Sequence, residues 1–136
     1  MKYHLNSEDP ALRDYAVRSA GKYRVREIVP ELLSLLEKKD ILGSEAYYKI
    51  PIVKALGQIG DERAVPELLR LYKSRSLFYR RYLDELKLEI FRGLPSYPVS
   101  SIKAFISEGA KSKNEEINNI SQNLLKQLKD KGGKDV

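Results

Sequence analysis

The side chains able to do chemistry are few, and their spacing matches no catalytic pattern. The chain holds one histidine, His4, and no cysteine. That excludes thiolate metal sites, iron–sulfur ligation, disulfides and a cysteine nucleophile, and a single imidazole excludes any two-histidine site. No Ser/His/Asp set, glycine-rich phosphate loop or nucleophile elbow can be found. Asp84 with Glu89, or Glu115 with Glu116, are carboxylate neighbours of the kind acid–base catalysis uses. Solvated helix faces supply such pairs routinely. The expectation is a non-enzymatic chain with no cofactor and no metal.

Charge is the second resource. There are 25 Lys and Arg against 19 Asp and Glu among 136 residues, a net charge of +6. Residues 44–112 hold most of the excess, with 12 basic and 8 acidic side chains, in Arg70, Lys73, Arg75, Arg80, Arg81, Lys87 and Arg92. Lys73, Arg75, Arg80 and Arg81 are the candidate contacts for a phosphate backbone. Tyr79 and Tyr82 interleave with Arg80-Arg81, a pattern that suits stacking on single strands. The simpler reading, which we favour, packs the tyrosines inward and leaves the arginines wet.

An internal echo organises the elements that carry these residues. Without gaps, Val17–Lys39 aligns with Val53–Arg75 at a step of 36, and VPELLSL repeats as VPELLRL. Each copy reads as two helices and a tight turn. In the first, Asp9-Pro10 opens a helix whose apolar face is read as Leu12, Tyr15, Ala16, Ser19, Ala20 and Tyr23. Gly21 is the expected C-cap, and Pro30 falls in the first turn of the next helix, where a missing N–H costs nothing. In the second copy Tyr47, Tyr48, Ile52, Val53, Leu56 and Ile59 lie on a helix ending at Gly57 or Gly60. Asp61 caps its successor, and Pro51 sits in an early turn or kinks its helix.

Beyond Arg75 the period degrades. Ser76 caps a longer helix through Leu94, Pro95-Ser96-Tyr97-Pro98 breaks the chain, and a short helix ends near Gly109. A shift of 37 sets Val65, Leu68 and Leu69 on Ile102, Phe105 and Ile106, a divergent third unit. A capping box, Ser112 to Glu115, opens a final helix. The chain is therefore expected to be all-α and a single domain over 1–130. Its repeats fall at about 9–39, 44–75 and 77–110, with a capping helix at 114–130 and a flexible tail at 131–136.

The run Ala55-Leu56-Gly57-Gln58-Ile59-Gly60-Asp61-Glu62-Arg63-Ala64-Val65-Pro66-Glu67-Leu68-Leu69 resembles the HEAT-like repeat of phycobilisome-lyase-type proteins. The resemblance covers about 9–110. It implies a short right-handed α-α superhelix, or HEAT-like solenoid, of about three helical hairpins plus the C-terminal capping helix. The family includes scaffolds and bilin-attachment factors, so a bilin-lyase-like role is one further reading, and glycosylase-like solenoids share the architecture. Fold alone carries no chemistry.

In such solenoids the second helix of each pair lines the concave surface. Its outward stripe is Glu27, Glu31, Ser34 and Lys38 in the first copy, and Arg63, Glu67, Arg70 and Ser74 in the second. A mixed-sign strip suits a protein partner better than a phosphate backbone, which the carboxylates would repel. Exchanging Arg63 and Arg70 for glutamate is expected to weaken binding without touching the fold. Nucleic acid is the alternative partner. No apolar run approaches a membrane span and no signal segment opens the chain, so a cytoplasmic location is expected.

Overall fold

Aspartate and proline set the helix starts. The computed structural model describes residues 2–37, 49–75 and 80–134. The helices are α1 (Lys2–Leu5), α2 (Pro10–Lys22), α3 (Val29–Glu37), α4 (Lys49–Ile59), α5 (Val65–Tyr72), α6 (Arg80–Gly93), α7 (Lys103–Gly109) and α8 (Glu115–Lys134). There is no strand among the described residues. Asp9 caps α2, its Oδ1 accepting from the Ala11 N–H at 2.9 Å, with Pro10 in first position. Pro30 and Pro66 are each the second residue of their helices, α3 and α5, so the two copies place them equivalently. Pro51 lies in the first turn of α4 and does not interrupt it. The expected helix starts at Tyr47 and Ser76 fall outside the described residues.

The helices form two rows. α4 packs between α2 and α6, and α6 packs on α8. The intervening helices form the second row, with α3 on α4, α5 on α6 and α7 on α8. Each pair lends its apolar side to the next, which is the logic of a helical solenoid. Ile52, Leu56, Leu32, Leu36, Leu68 and Ile90 are fully buried between the rows. Tyr72, Phe91 and Phe105 close the α5–α6–α7 junction, with ring centroids 5.3–5.8 Å apart in tilted and edge-on pairs.

The row α2–α4–α6 depends on missing side chains. A Cβ on Gly21 would lie 2.8 Å from the Ala55 Cα, and one on Gly57 would lie 2.9 Å from the Gly93 Cα. Gly21 to Gly57 is a step of 36, whereas Ala55 to Gly93 is a step of 38. Buried Ile102, Ile106 and Gly109 likewise stand 38 beyond buried Ala64, Leu68 and Leu71. The helix contacts of the third unit thus fall at 38, whereas its 3-10 turn, Val99–Ser101 against Glu62–Ala64, keeps the expected step of 37.

Four further expectations are corrected. On α2 the inward residues are Ala16, Val17, Ala20 and Gly21, while Leu12, Tyr15 and Tyr23 are exposed by 43%, 68% and 68%. Only small side chains fit where α4 comes this close. Gly21 is not the C-cap, because the left-handed residue is Arg24, at φ 50°. The Val25 N–H donates to the Ala20 carbonyl around that turn at 3.0 Å. Asn114, not Ser112, caps α8, its Oδ1 accepting from the Ile117 N–H at 3.0 Å. Ser112 accepts instead from the Asn114 N–H at 3.1 Å, one turn ahead of the helix. The proposed break is real but ordered: Leu94–Ser96 and Val99–Ser101 are 3-10 turns flanking an extended Tyr97. α8 itself runs to Lys134, into the stretch read as tail.

Candidate partner-binding face

The second-row helices present their outer residues as neighbouring charged rows. On α3 and the 3-10 turn before it, Glu27 and Ser34 are exposed and Glu31 is half-buried. On α5 and its preceding turn, Arg63 and Arg70 are exposed while Glu67 and Ser74 are half-buried. Lys38 falls outside the described residues.

At a step of 36, Arg26 answers Glu62, Glu27 answers Arg63 and Ser34 answers Arg70, while Glu31 answers Glu67 with like charge. The rows therefore attract at their starts and set carboxylate beside carboxylate at Glu31 and Glu67. Glu27 raises the Arg63 pKa across the seam and Glu37 does the same for Arg70, in each case behind the effect of that arginine's own bonded carboxylate.

The seam is built around Asp61. Its Oδ1 accepts from the Arg63 N–H at 3.0 Å, capping the turn Glu62–Ala64. Arg63 grips the same carboxylate with Nε at 3.1 Å and Nη2 at 2.8 Å. Nη2 also reaches the Arg26 carbonyl in the first copy at 3.0 Å. These hydrogen bonds, outweighing the cost of burial, hold Asp61 below its ordinary value of 3.8. Arg70 is similarly bidentate on Glu67, through Nε at 3.0 Å to both oxygens and through Nη2 to Oε1. Ser74 Oγ donates to the Arg70 carbonyl at 3.1 Å. The described stripe residues lie on neighbouring turns and helices, and Arg63 and Arg70 are engaged with carboxylates rather than free. Arg63 holds the fold, so glutamate there sets a second carboxylate against Asp61, and the expectation of an untouched fold does not stand for that residue.

The basic candidates behave differently. Arg92 is tied to Glu116, Nε to Oε1 at 2.8 Å and Nη2 to Oε2 at 3.1 Å, which lowers the Glu116 pKa. The Lys87 ammonium lies 5.6 Å from the Tyr72 ring centroid. Lys73, Arg75, Arg80 and Arg81 are exposed and make no ion pair among the described residues. They flank the connection from α5 to α6. Tyr82 packs against the core, as the simpler reading held; Tyr79 lies outside the described residues.

Sequence reasoning missed the Asp61–Arg63–Arg26 clamp. Its signal was the aspartate two residues before an arginine in one copy only, where the other copy has Val25 and Glu27. Among the described residues no group of three or more His, Cys, Asp and Glu side chains stands ready to hold a metal, and no helix is long and apolar enough to cross a membrane.

Paired helices joined by 3-10 turns and stacked on small residues define a helical-repeat protein. Residues 2–84 match the family model described as HEAT repeats, and the chain belongs to that family. It is also similar to two proteins named phycocyanobilin lyase subunit alpha. One, from Microchaete diplosiphon, is 33% identical over 81 residues, covering 57% of this chain and 28% of the relative. The other, from Pseudanabaena tenuis (strain PCC 7409), is 35% identical over 83 residues, covering 57% of this chain and 30% of the relative. The chain thus matches under a third of the length of these curated relatives.

Proposed function

We propose that this chain is a non-catalytic HEAT-type module that binds a protein partner through the charged rows of α3 and α5. The observation that carries the reading is the pairing of Arg63 and Arg70 with carboxylates of their own face. Both signs are presented there, held in fixed geometry before any partner arrives. Preorganised charge of mixed sign favours a complementary protein surface, because little side-chain freedom remains to be lost on docking. A polyanion would meet Glu27, Glu31 and Glu67 along the same strip and be repelled.

The test is capture from nuclease-treated native lysate by the intact protein and by Arg70→Glu. Among the described residues the Arg70 side chain is hydrogen-bonded within its own helix, to Glu67, and outside it feels the longer-range attraction of Glu37. Loss of a captured protein with unchanged melting supports the face; equal capture by both removes it. A second reading rests on Lys73, Arg75, Arg80 and Arg81, which make no ion pair among the described residues and suit a phosphate backbone. It expects retention on heparin that falls steeply with salt and is lost in the Arg80→Ala, Arg81→Ala variant. The lyase reading, brought by the names of the two relatives, expects a chromophore to copurify and absorb in the visible.

A further inference from the structure

The first row of helices carries a polar cleft of its own, apart from the charged rows of α3 and α5. It lies over the crossing of α4 and α6, where Gly57 and Gly93 form its floor. Lys54 stands one turn before Gly57. Glu89 stands one turn before Gly93 and Ser96 one turn after it, so helical spacing brings all three to the same opening. The cleft has a volume of about 180 Å³. That is below the roughly 300–1,000 Å³ of sites that take drug-sized ligands, so its occupant is a small molecule.

The polar groups around this opening are underused. The Lys54 and Ser96 side chains make no ion pair or hydrogen bond among the described residues. The Glu89 carboxylate meets only Arg92 Nη1, at 3.5 Å, the outer limit of a hydrogen bond. Arg92 spends Nε and Nη2 on Glu116. Lys54 and Glu89 therefore face one cleft with opposite charge and do not pair with each other.

We propose that this cleft binds a small zwitterion, a free amino acid with a short side chain, which bridges the two charges. Its carboxylate takes Lys54 Nζ, and its ammonium takes Glu89 with Ser96 Oγ as a second acceptor. Charge decides against the two simpler occupants. Lys54 and Arg92 are balanced by Glu89 and Glu116, so the site as a whole is neutral. An oxyanion drawn to Lys54 meets Glu89 across the cleft, and a lone ammonium drawn to Glu89 meets Lys54. A zwitterion satisfies both, its separated charges matching those of the protein. Lys54 and Ser96 are exposed, so water screens the contacts and binding is weak, in the millimolar range.

Heteronuclear NMR titration of the intact chain with alanine tests this, because Gly57 and Gly93 supply reporter amides at the floor of the cleft. Both signals are expected to move saturably over a millimolar range. Acetate and methylammonium each carry one of the two charges and are expected to leave them nearly unmoved at the same concentrations. Lys54→Met and Glu89→Gln are each expected to weaken alanine binding about fivefold or more. Melting is expected to stay unchanged, since Lys54 has no partner to lose and Glu89 only its long contact with Arg92. Four results would each overturn the proposal: no saturable movement with alanine, equal movement with acetate or methylammonium, tighter binding of inorganic phosphate, or undiminished binding by either folded variant. The native chain alone decides the first three, whatever a variant does to folding.

Discussion

The first and second inter-helix turns have one backbone and two chemistries. Arg24 and Gly60, 36 residues apart, both take the left-handed conformation, at φ 50° and 70°. Each then leads through a 3-10 turn into a helix with proline at its second position. The second turn has the residues this geometry asks for: glycine where φ is positive, then Asp61 as cap. The first has arginine at the strained position and Val25 where the cap belongs, with no side-chain cap bond. Its support comes instead from its neighbour, through Arg63 to the Arg26 carbonyl. A repeat protein can thus place local chemistry in one copy and let stacking impose the same shape on the next.

That contrast can be broken most severely at Gly60. Alanine there is strained at φ 70° and brings its Cβ within 2.3 Å of the Ser96 carbonyl oxygen, so Gly60→Ala is expected to cost about 2 kcal/mol or more by urea denaturation. Asp61→Ala removes the cap and frees Arg63 from its anchor, with an expected loss of about 1–2 kcal/mol. Its carboxyl also carries an acid dependence. Because the folded protein holds Asp61 below 3.8, its contribution is complete above that value and is lost as pH falls through the lower folded value. The melting temperature of Asp61→Asn is therefore expected to fall less than that of the native chain as pH drops below 4.

The first turn tests the comparison in the other direction. Arg24 is exposed, so Arg24→Gly is expected to relieve strain and stabilise the chain by about 0.5–1 kcal/mol. If Arg24→Gly destabilises, the positive φ is not a local cost, and the reading of an imposed turn is wrong. The smallest effect is expected at Arg70, whose exposed pair with Glu67 is worth under about 0.5 kcal/mol. Arg70→Ala should leave the urea midpoint almost unmoved while weakening capture of a partner.

Much of this was legible in the sequence, because its strongest signals are local. The 36-residue echo, the prolines two residues into α3 and α5, and the Asp9 cap follow from backbone chemistry that needs no neighbours. In the third unit the expected step of 37 holds at the 3-10 turn but not at the close helix contacts, which fall at 38, since apolar residues at i, i+3 and i+4 tolerate a slip that glycine contacts between helices do not.

α2 shows where local reading stops. Its sequence carries two rows of apolar or small residues, and helical period alone favours the bulkier, Leu12, Tyr15 and Tyr23. Which row turns inward was decided by α4, whose approach over Gly21 leaves room only for Ala16, Val17 and Ala20. The charged rows obey the same division. Composition set the number of arginines, but whether an arginine holds the scaffold or meets a partner depends on which carboxylate stacking brings within hydrogen-bond reach. Helix and turn are properties of a few adjacent residues; close approach and charge pairing belong to segments far apart in the chain.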